Sequence, residues 1–328
     1  MTAEEEQQII LFNNRLRQDI QLTLVKTRHK VSENIGDFCR GLQNVAPRIH
    51  IGYEKADSDA LPELRIHSGI HYQSAPLGQE LGPFLKALSW IFIDEASPPL
   101  PLQSGLKDLV FPAELKLYIA EQCPFCPAVV EKLVPLALAD AKVRLTVIDA
   151  GLCMEEARHD RVQSVPTLIL DSHFRWSGTI HIREVVDAMI HRDPSRLEAD
   201  TLMNMITDGN AFLLADMMIG KDLIFPELVS LLVHPKWPVR LGAMVTMEVV
   251  AAEKPSLAQT MVGPLWERFD AADDTVKGDI LYLVGELDAG ASIGRIQEIL
   301  NRKAAYDNEI IEAAREALEK QMTRLLPI

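Results

Sequence analysis

The sequence predicts an α/β chain of three parts: two successive βαβ-ββα units, then an all-α region of stacked helical hairpins. Three observations carry this. Apolar residues alternate with period 2 and recur with period 3.6, in the same order twice over, before residue 195. Strand signals vanish after Asp200. The helices beyond it recur at steps of about 35 residues, as stacked repeats do.

The first unit runs "IQLTLV" as a strand, "VSENIGDFCRGLQNV" as a helix, "RIHIGYEK" as a strand, "ELRIH" and "GIHYQ" as a strand pair, and "PLGQELGPFLKALSWIF" as the closing helix. The second repeats that order in "ELKLYIA", "PAVVEKLVPLALAD", "KVRLTVID", the hairpin "TLILDSHFRWSG" and "IREVVDAMI". A βαβ crossover makes its two strands parallel and the hairpin adds antiparallel ones. Each unit is therefore expected to be a small mixed sheet with helices on both faces, the thioredoxin arrangement. Proline-marked seams at 95–105 ("EASPPLPLQSG") and 191–200 ("HRDPSRLEAD") separate the parts. The expected domains are residues 1–100, a thioredoxin-like unit without Cys-x-x-Cys; 106–195, a thioredoxin/glutaredoxin-like unit that carries one; and 200–328, a helical repeat domain.

In the helical part Leu228, Leu231 and Leu232 recur as Leu265 and Phe269, and again as Ile296, Ile299 and Leu300. The helices that follow begin at Val239, Val276 and Ile310, each with an apolar or small residue four positions on: Ala243, Ile280 and Ala314. HEAT-like stacking is the expectation, with a plain bundle of three helix pairs as the other reading of the same pattern.

The chain is long enough for several cores and has only four cysteines, so it needs no disulfide scaffold. A formal net charge of -14 disfavours a polyphosphate partner, because nucleic-acid affinity comes from Lys and Arg neutralising phosphates. No nucleic acid is expected, and a basic protein surface suits the sign. No apolar run reaches the ~20 residues that span a bilayer, and "MTAEEEQQII" lacks the basic-then-apolar order of a secretory signal. No membrane partner and a cytoplasmic location are expected.

The chemistry concentrates in "EQCPFCP". Cys123 follows a strand and precedes a helix. Unpaired N–H groups at a helix start favour an anion and lower a thiol pKa, which makes Cys123 the expected attacking sulfur. Cys126, expected one turn inside the helix, would resolve the mixed disulfide, with Pro124 restricting the loop. Farther on, "QSVPTLIL" sets Pro166 before a strand. In a thioredoxin-type unit this proline is typically cis and leaves the Val165 backbone free to pair with an extended substrate; taken alone, it is also an ordinary strand-start proline. Pro124, Phe125, Val165 and Pro166 are thus the candidate substrate-binding residues. No metal is expected. Zinc would need two more ligands, and neither Cys39, on an apolar face with Ile35, Phe38 and Leu42, nor Cys153, read as a loop thiol, is suitably spaced. In the first unit "LTLVKTRHKVSEN" stands where the pair would be, so that copy is expected to be redox-inactive.

Three phrases, "SAPLGQELGPFLKALSW", "ELKLYIAEQCPFCPAVVEKL" and "VIDAGLCMEEARHDRVQSVPTLILD", resemble the N-terminal region of the alkyl hydroperoxide reductase flavoprotein subunit and, more distantly, the protein disulfide oxidoreductases. The resemblance spans about residues 9–190. It implies a tandem thioredoxin fold in which the second unit's pair accepts electrons from a flavin-linked disulfide and passes them to a peroxiredoxin. It also implies an acidic side chain from the first unit beside that pair, a position that Glu80 in "PLGQE" matches. A half-buried carboxyl there would have a raised pKa and take the proton of Cys126; by residue type alone Glu80 reads as a solvated helix glutamate. Two departures are plain. Neither a G-x-G-x-x-G fingerprint nor a flavin domain follows, so the expected cofactor is none beyond the redox-active disulfide, and electrons are expected from a separate reductase. "LDSHFRWSGTIHI" also lacks the Gly-Gly-x-Asp stretch with which glutaredoxins hold glutathione.

The expected function is a thiol-disulfide oxidoreductase relaying electrons through Cys123 and Cys126 to a protein disulfide, such as that of a peroxiredoxin, with a protein partner on the helical repeats. The alternative is an interaction scaffold whose thioredoxin-like units serve as a redox-sensing or structural platform.

Overall fold

The computed structural model describes residues 1–93, 106–288 and 290–325; the seam expected at 95–105 lies outside the described residues. The chain divides into two compact units, Met1–Arg192 and Asp193–Ile328.

The first unit begins with α1 (Ala3–Arg15), β1 (Ile20–Lys26), α2 (Val31–Val45), β2 (Ile49–Lys55), β3 (Glu63–His67), β4 (Ile70–Gln73), a 3-10 turn at Gly78–Glu80 and α3 (Leu81–Phe92). It continues with β5 (Ala113–Ile119), α4 (Cys126–Ala139), β6 (Val143–Asp149), α5 (Met154–His159), β7 (Thr167–Leu170), β8 (Phe174–Ser177) and α6 (Ile182–His191). The strands form a single sheet of eight, in the order β2-β1-β3-β4-β6-β5-β7-β8, where the sequence suggested a separate small sheet for each half. Both halves use the same senses: β1 runs parallel to β2 and antiparallel to β3, and β5 runs parallel to β6 and antiparallel to β7.

The halves join through the parallel pair β4 and β6, in register from Ile70 with Leu145 to Gln73 with Ile148. Each half would otherwise leave an edge of unpaired backbone groups there. At the join the Leu145 amide donates to the Gly69 carbonyl at 2.8 Å. A Cβ on residue 69 would stand 2.7 Å from the Val143 carbonyl oxygen, so the approach needs glycine.

Local pattern explains the elements. Ile20, Leu22 and Leu24 bury every second side chain of β1, and Ile35, Phe38, Cys39 and Leu42 form one buried stripe of α2. Helix α1 was not among the expected elements. It starts with a capping box, the Thr2 hydroxyl accepting from the Glu5 amide at 3.3 Å while the Glu5 carboxylate accepts from the Thr2 amide. The other Glu5 oxygen accepts from the Gly78 amide at 2.7 Å, which ties α1 to the turn that carries Glu80.

The second unit is helical throughout its described residues: α7 (Ala199–Thr207), α8 (Ala211–Lys221), α9 (Leu228–Leu232), α10 (Trp237–Glu253), α11 (Pro255–Gln259), α12 (Val262–Phe269), α13 (Asp274–Leu287), α14 (Ile293–Asn301) and α15 (Asn308–Leu325), with 3-10 turns at Pro194–Arg196 and Lys303–Ala305. The recurring apolar positions fall on the pairs α9 with α10, α12 with α13 and α14 with α15. Val239, Ala243, Val276, Ile280, Ile310 and Ala314 are all buried. The second helices pack in succession, α10 on α13 and α13 on α15. No described helix is long and apolar enough to cross a membrane.

Candidate active site

Strand β5 ends at Ile119, and the chain turns so that the Cys123 amide donates to the Ala120 carbonyl at 2.9 Å. Cys123 and Cys126 form a disulfide with their Cα atoms 5.6 Å apart. Cys126 is the first residue of α4, not one turn inside it as the sequence suggested, because Pro127 in the first turn lacks an N–H and is pre-set for a helix start. The Cys126 amide donates to Cys123 Sγ at 3.2 Å. That donor lies at the positive end of α4, so once the pair is reduced it favours thiolate on Cys123. Cys126 is fully buried, Cys123 is 7% exposed, and Phe125 beside it is 70% exposed.

The Val165–Pro166 peptide is cis, and Cys123 Sγ lies 3.8 Å from the Val165 carbonyl oxygen. The Pro166 carbonyl accepts from the Gly178 amide and the Ser164 carbonyl from the Thr167 hydroxyl, which fixes the segment against the sulfur. Of the candidate residues, Val165 is thus placed against the Cys123 sulfur, Pro166 follows it across the cis peptide, and Pro124 and Phe125 lie between the two cysteines in the chain.

Cys126 opens α4, against which the turn Gly78–Glu80 packs. Glu80 is 1% exposed, buried and not solvated, and neither carboxyl oxygen has a hydrogen-bond partner among the described residues. Burial, reinforced by the Asp149 charge, pushes its carboxyl up to about 7.

The other two thiols are inert by position. Burial raises Cys39 to about 12, and burial together with Asp149 does the same to Cys153. Cys153 stands in the loop between β6 and α5, as the sequence suggested, but it is buried there, and its thiol donates to the Gln73 carbonyl at 3.5 Å. One group with the ligand types of a metal site comes together among the described residues, Glu156, His159 and Asp160. There Lys116 meets Glu156 at 3.0 Å and Asp160 at 2.9 Å, and the Tyr118 hydroxyl donates to Asp160. Sequence reasoning missed Tyr72 of β4, Ser74 just beyond it and Asp149 at the end of β6; Tyr72 and Asp149 lie within electrostatic reach of Glu80, and no local motif marks any of the three.

Comparison with known proteins matches residues 113–191 to the family described as "Thioredoxin domain". A curated NADH dehydrogenase of Ferdinandcohnia aciditolerans is 23% identical over 173 residues, 51% of this chain and 33% of that protein. The alkyl hydroperoxide reductase AhpF of Pseudomonas aeruginosa is 22% identical over 145 residues, 43% of this chain and 28% of that protein. The chain thus spans about a third or less of the length of these relatives. Two solved structures share the fold. They are the N-terminal domain of the alkylhydroperoxide reductase AhpF from Enterococcus faecalis (TM-score 0.50, 17% identity, 58% of this chain and 99% of that one) and a protein disulfide oxidoreductase from Aeropyrum pernix (0.52, 14%, 60% and 95%).

One expectation is corrected here. The sequence reading gave the chain no cofactor beyond its disulfide, but its curated relatives are flavoproteins, and the segment they share with it is their thioredoxin-like part. The cofactor-free reading of the chain is therefore withdrawn. Residues 113–191 form a thioredoxin-like domain, in a chain whose relatives are oxidoreductases and whose structural neighbours are the AhpF N-terminal domain and a protein disulfide oxidoreductase.

Proposed function

We propose that the chain is a thiol-disulfide oxidoreductase that relays electrons through Cys123 and Cys126 to a protein disulfide, such as that of a peroxiredoxin. The observation that carries this is the disulfide at the strand-to-helix junction, with the Cys126 amide on Cys123 Sγ and the Val165 carbonyl 3.8 Å from the same sulfur. In the reduced pair, Cys123 thiolate attacks the substrate disulfide and expels one substrate thiolate. Val165 offers its backbone to the extended substrate, while Pro124, Phe125 and Pro166 shape the surface around the sulfur. Cys126 then attacks Cys123 Sγ, releases the second substrate thiolate and restores the disulfide, with Glu80 as acceptor of the Cys126 proton.

Relatives named as alkyl hydroperoxide reductases support a peroxiredoxin-type acceptor. A separate reductase would return electrons to the pair, in the cytoplasm. In this reading residues 1–100 and 106–195 are tandem thioredoxin-like units, the first redox-inactive, and residues 200–328 are HEAT-like repeats that hold a protein partner.

The roles are tested by trapping with a disulfide-bonded protein such as insulin. Cys126→Ser should accumulate a mixed disulfide on Cys123, and Cys123→Ser should trap nothing. Equal trapping by both variants, or by neither, would sink the assignment.

A further inference from the structure

The Cys126 proton needs a way out. Glu80, its proposed acceptor, is 1% exposed and cannot hand a proton straight to solvent. Both of its carboxyl oxygens are buried without a hydrogen-bond partner among the described residues, and so are two hydroxyls of the neighbouring join, Tyr72 Oη and Ser74 Oγ. Buried polar groups are almost always satisfied, and where the protein supplies no partner an internal water commonly does.

The sheet places these groups together. Tyr72 pairs with Val147 and Gln73 with Ile148 across the parallel join; Ser74 and Asp149 come one residue later. Residues two apart share a face of a strand, and paired residues face the same side. Tyr72 and Asp149 therefore stand on one face at the end of the join, and Ser74 follows β4 directly. Glu80 acts electrostatically on Tyr72, and Asp149 acts on Glu80. Asp149 is 8% exposed and also lines a surface groove of about 450 Å³ with Asn34, Asp37, Leu77 and Glu121. It is thus close enough to Glu80 for its charge to act there, and it reaches the groove. The other polar and charged groups on the elements packed around the turn of Glu80 include the sulfur pair at the start of α4, Glu5 of α1, which holds the Gly78 amide, Glu121, whose side chain packs against Gly78, and Lys86 of α3, which pairs with Glu131 of α4.

We infer that Asp149 is the exit of a proton relay, reached from Glu80 through water held by Tyr72 Oη and Ser74 Oγ. This rests on the oxidoreductase reading above. Each turnover moves two electrons from the dithiol to the substrate disulfide. Cys123 has already given its proton to solvent. Cys126 gives its proton to Glu80 as its sulfur bonds to Cys123 Sγ and the second substrate thiolate leaves. Glu80 passes that proton through the water to Asp149 and the groove, and is ready as a base for the next cycle. Burial and the Asp149 charge push the Glu80 carboxyl up to about 7, which suits a group that must both take and return a proton.

The test uses the reduced full chain and the chromogenic disulfide dithiobis(nitrobenzoate). Attack by Cys123 releases a first aryl thiolate, and resolution by Cys126 releases a second, so the two steps are seen separately. Asp149→Asn keeps an oxygen for the Gly151 and Leu152 amides that Asp149 now accepts from, which protects the fold. In this variant the second release should slow about tenfold relative to the first, the equivalent of one pKa unit, and its rise with pH near 7 should flatten. Ser74→Ala should slow it in the same sense. An unchanged ratio and pH profile in both variants would overturn the relay. Absence of the first release in the wild-type chain would instead bring down the oxidoreductase reading, and the relay with it.

Discussion

At the scale of single residues, Glu80 is the group on which the site and the fold pull in opposite directions. Its carboxyl is buried without a hydrogen-bond partner among the described residues, and its folded pKa, about 7, lies above the ordinary 4.5. Folding therefore favours the protonated form. The stability that Glu80 allows is fully present below pH 4.5 and is lost as pH rises through about 7. The shift is equivalent to about 3 kcal/mol at 1.36 kcal/mol per unit. Glu80→Gln cannot ionise, so its stability relative to wild type should climb by about that amount between acid and mildly alkaline pH, measured as urea midpoints across the range. A difference that stays constant with pH would mean that Glu80 is not held in a dry site. Nothing in "PLGQE" shows this by itself, since a glutamate at a helix start is ordinarily solvated.

At the scale of elements, the parallel join of β4 and β6 matters most, because it sets Tyr72 and Ser74 beside Asp149 and brings the turn of Glu80 against α4. The join depends on Gly69. Gly69→Ala would drive a methyl to 2.7 Å from the Val143 carbonyl oxygen, a backbone atom with little room to yield. The expected cost is about 2 kcal/mol, as for other overpacked sites. Hydrogen exchange would localise it: the Leu145 amide, which donates to Gly69, should lose protection far more than the Ala113 amide, which donates to Lys142 away from the join. Equal loss at both amides would point to global weakening. The strand "GIHYQ" was legible in the sequence, but its partner was not, because register between strands distant in the chain is settled by packing and not by local pattern. Helix α1 escaped for another reason: it is mostly polar and buries little besides Ile9 and Phe12, so its clearest signal was the Thr2 and Glu5 capping box.

At the scale of the whole molecule, the redox pair, its cis-proline partner and Glu80 all lie in the unit Met1–Arg192, and no residue of the proposed relay comes from Asp193–Ile328. A fragment of residues 1–192 should therefore fold and release both aryl thiolates from dithiobis(nitrobenzoate) at rates close to those of the full chain. A fragment that folds but loses the second release would place part of the resolving chemistry in the helical unit.

The order of the elements and the place of the reactive sulfurs follow from the amino-acid sequence alone, because periodicity, proline seams and a Cys-x-x-Cys before a helix are all local in the chain. The hairpin "TLILDSHFRWSG" and the helix "VSENIGDFCRGLQNV" were readable for that reason. Three features emerge only once the chain is folded: eight strands make one sheet, Cys153 is buried, and Glu80 is buried within electrostatic reach of Tyr72 and Asp149. Each of those depends on which distant segment covers a side chain, and burial of that kind, more than residue type, sets what a carboxyl or a thiol can do.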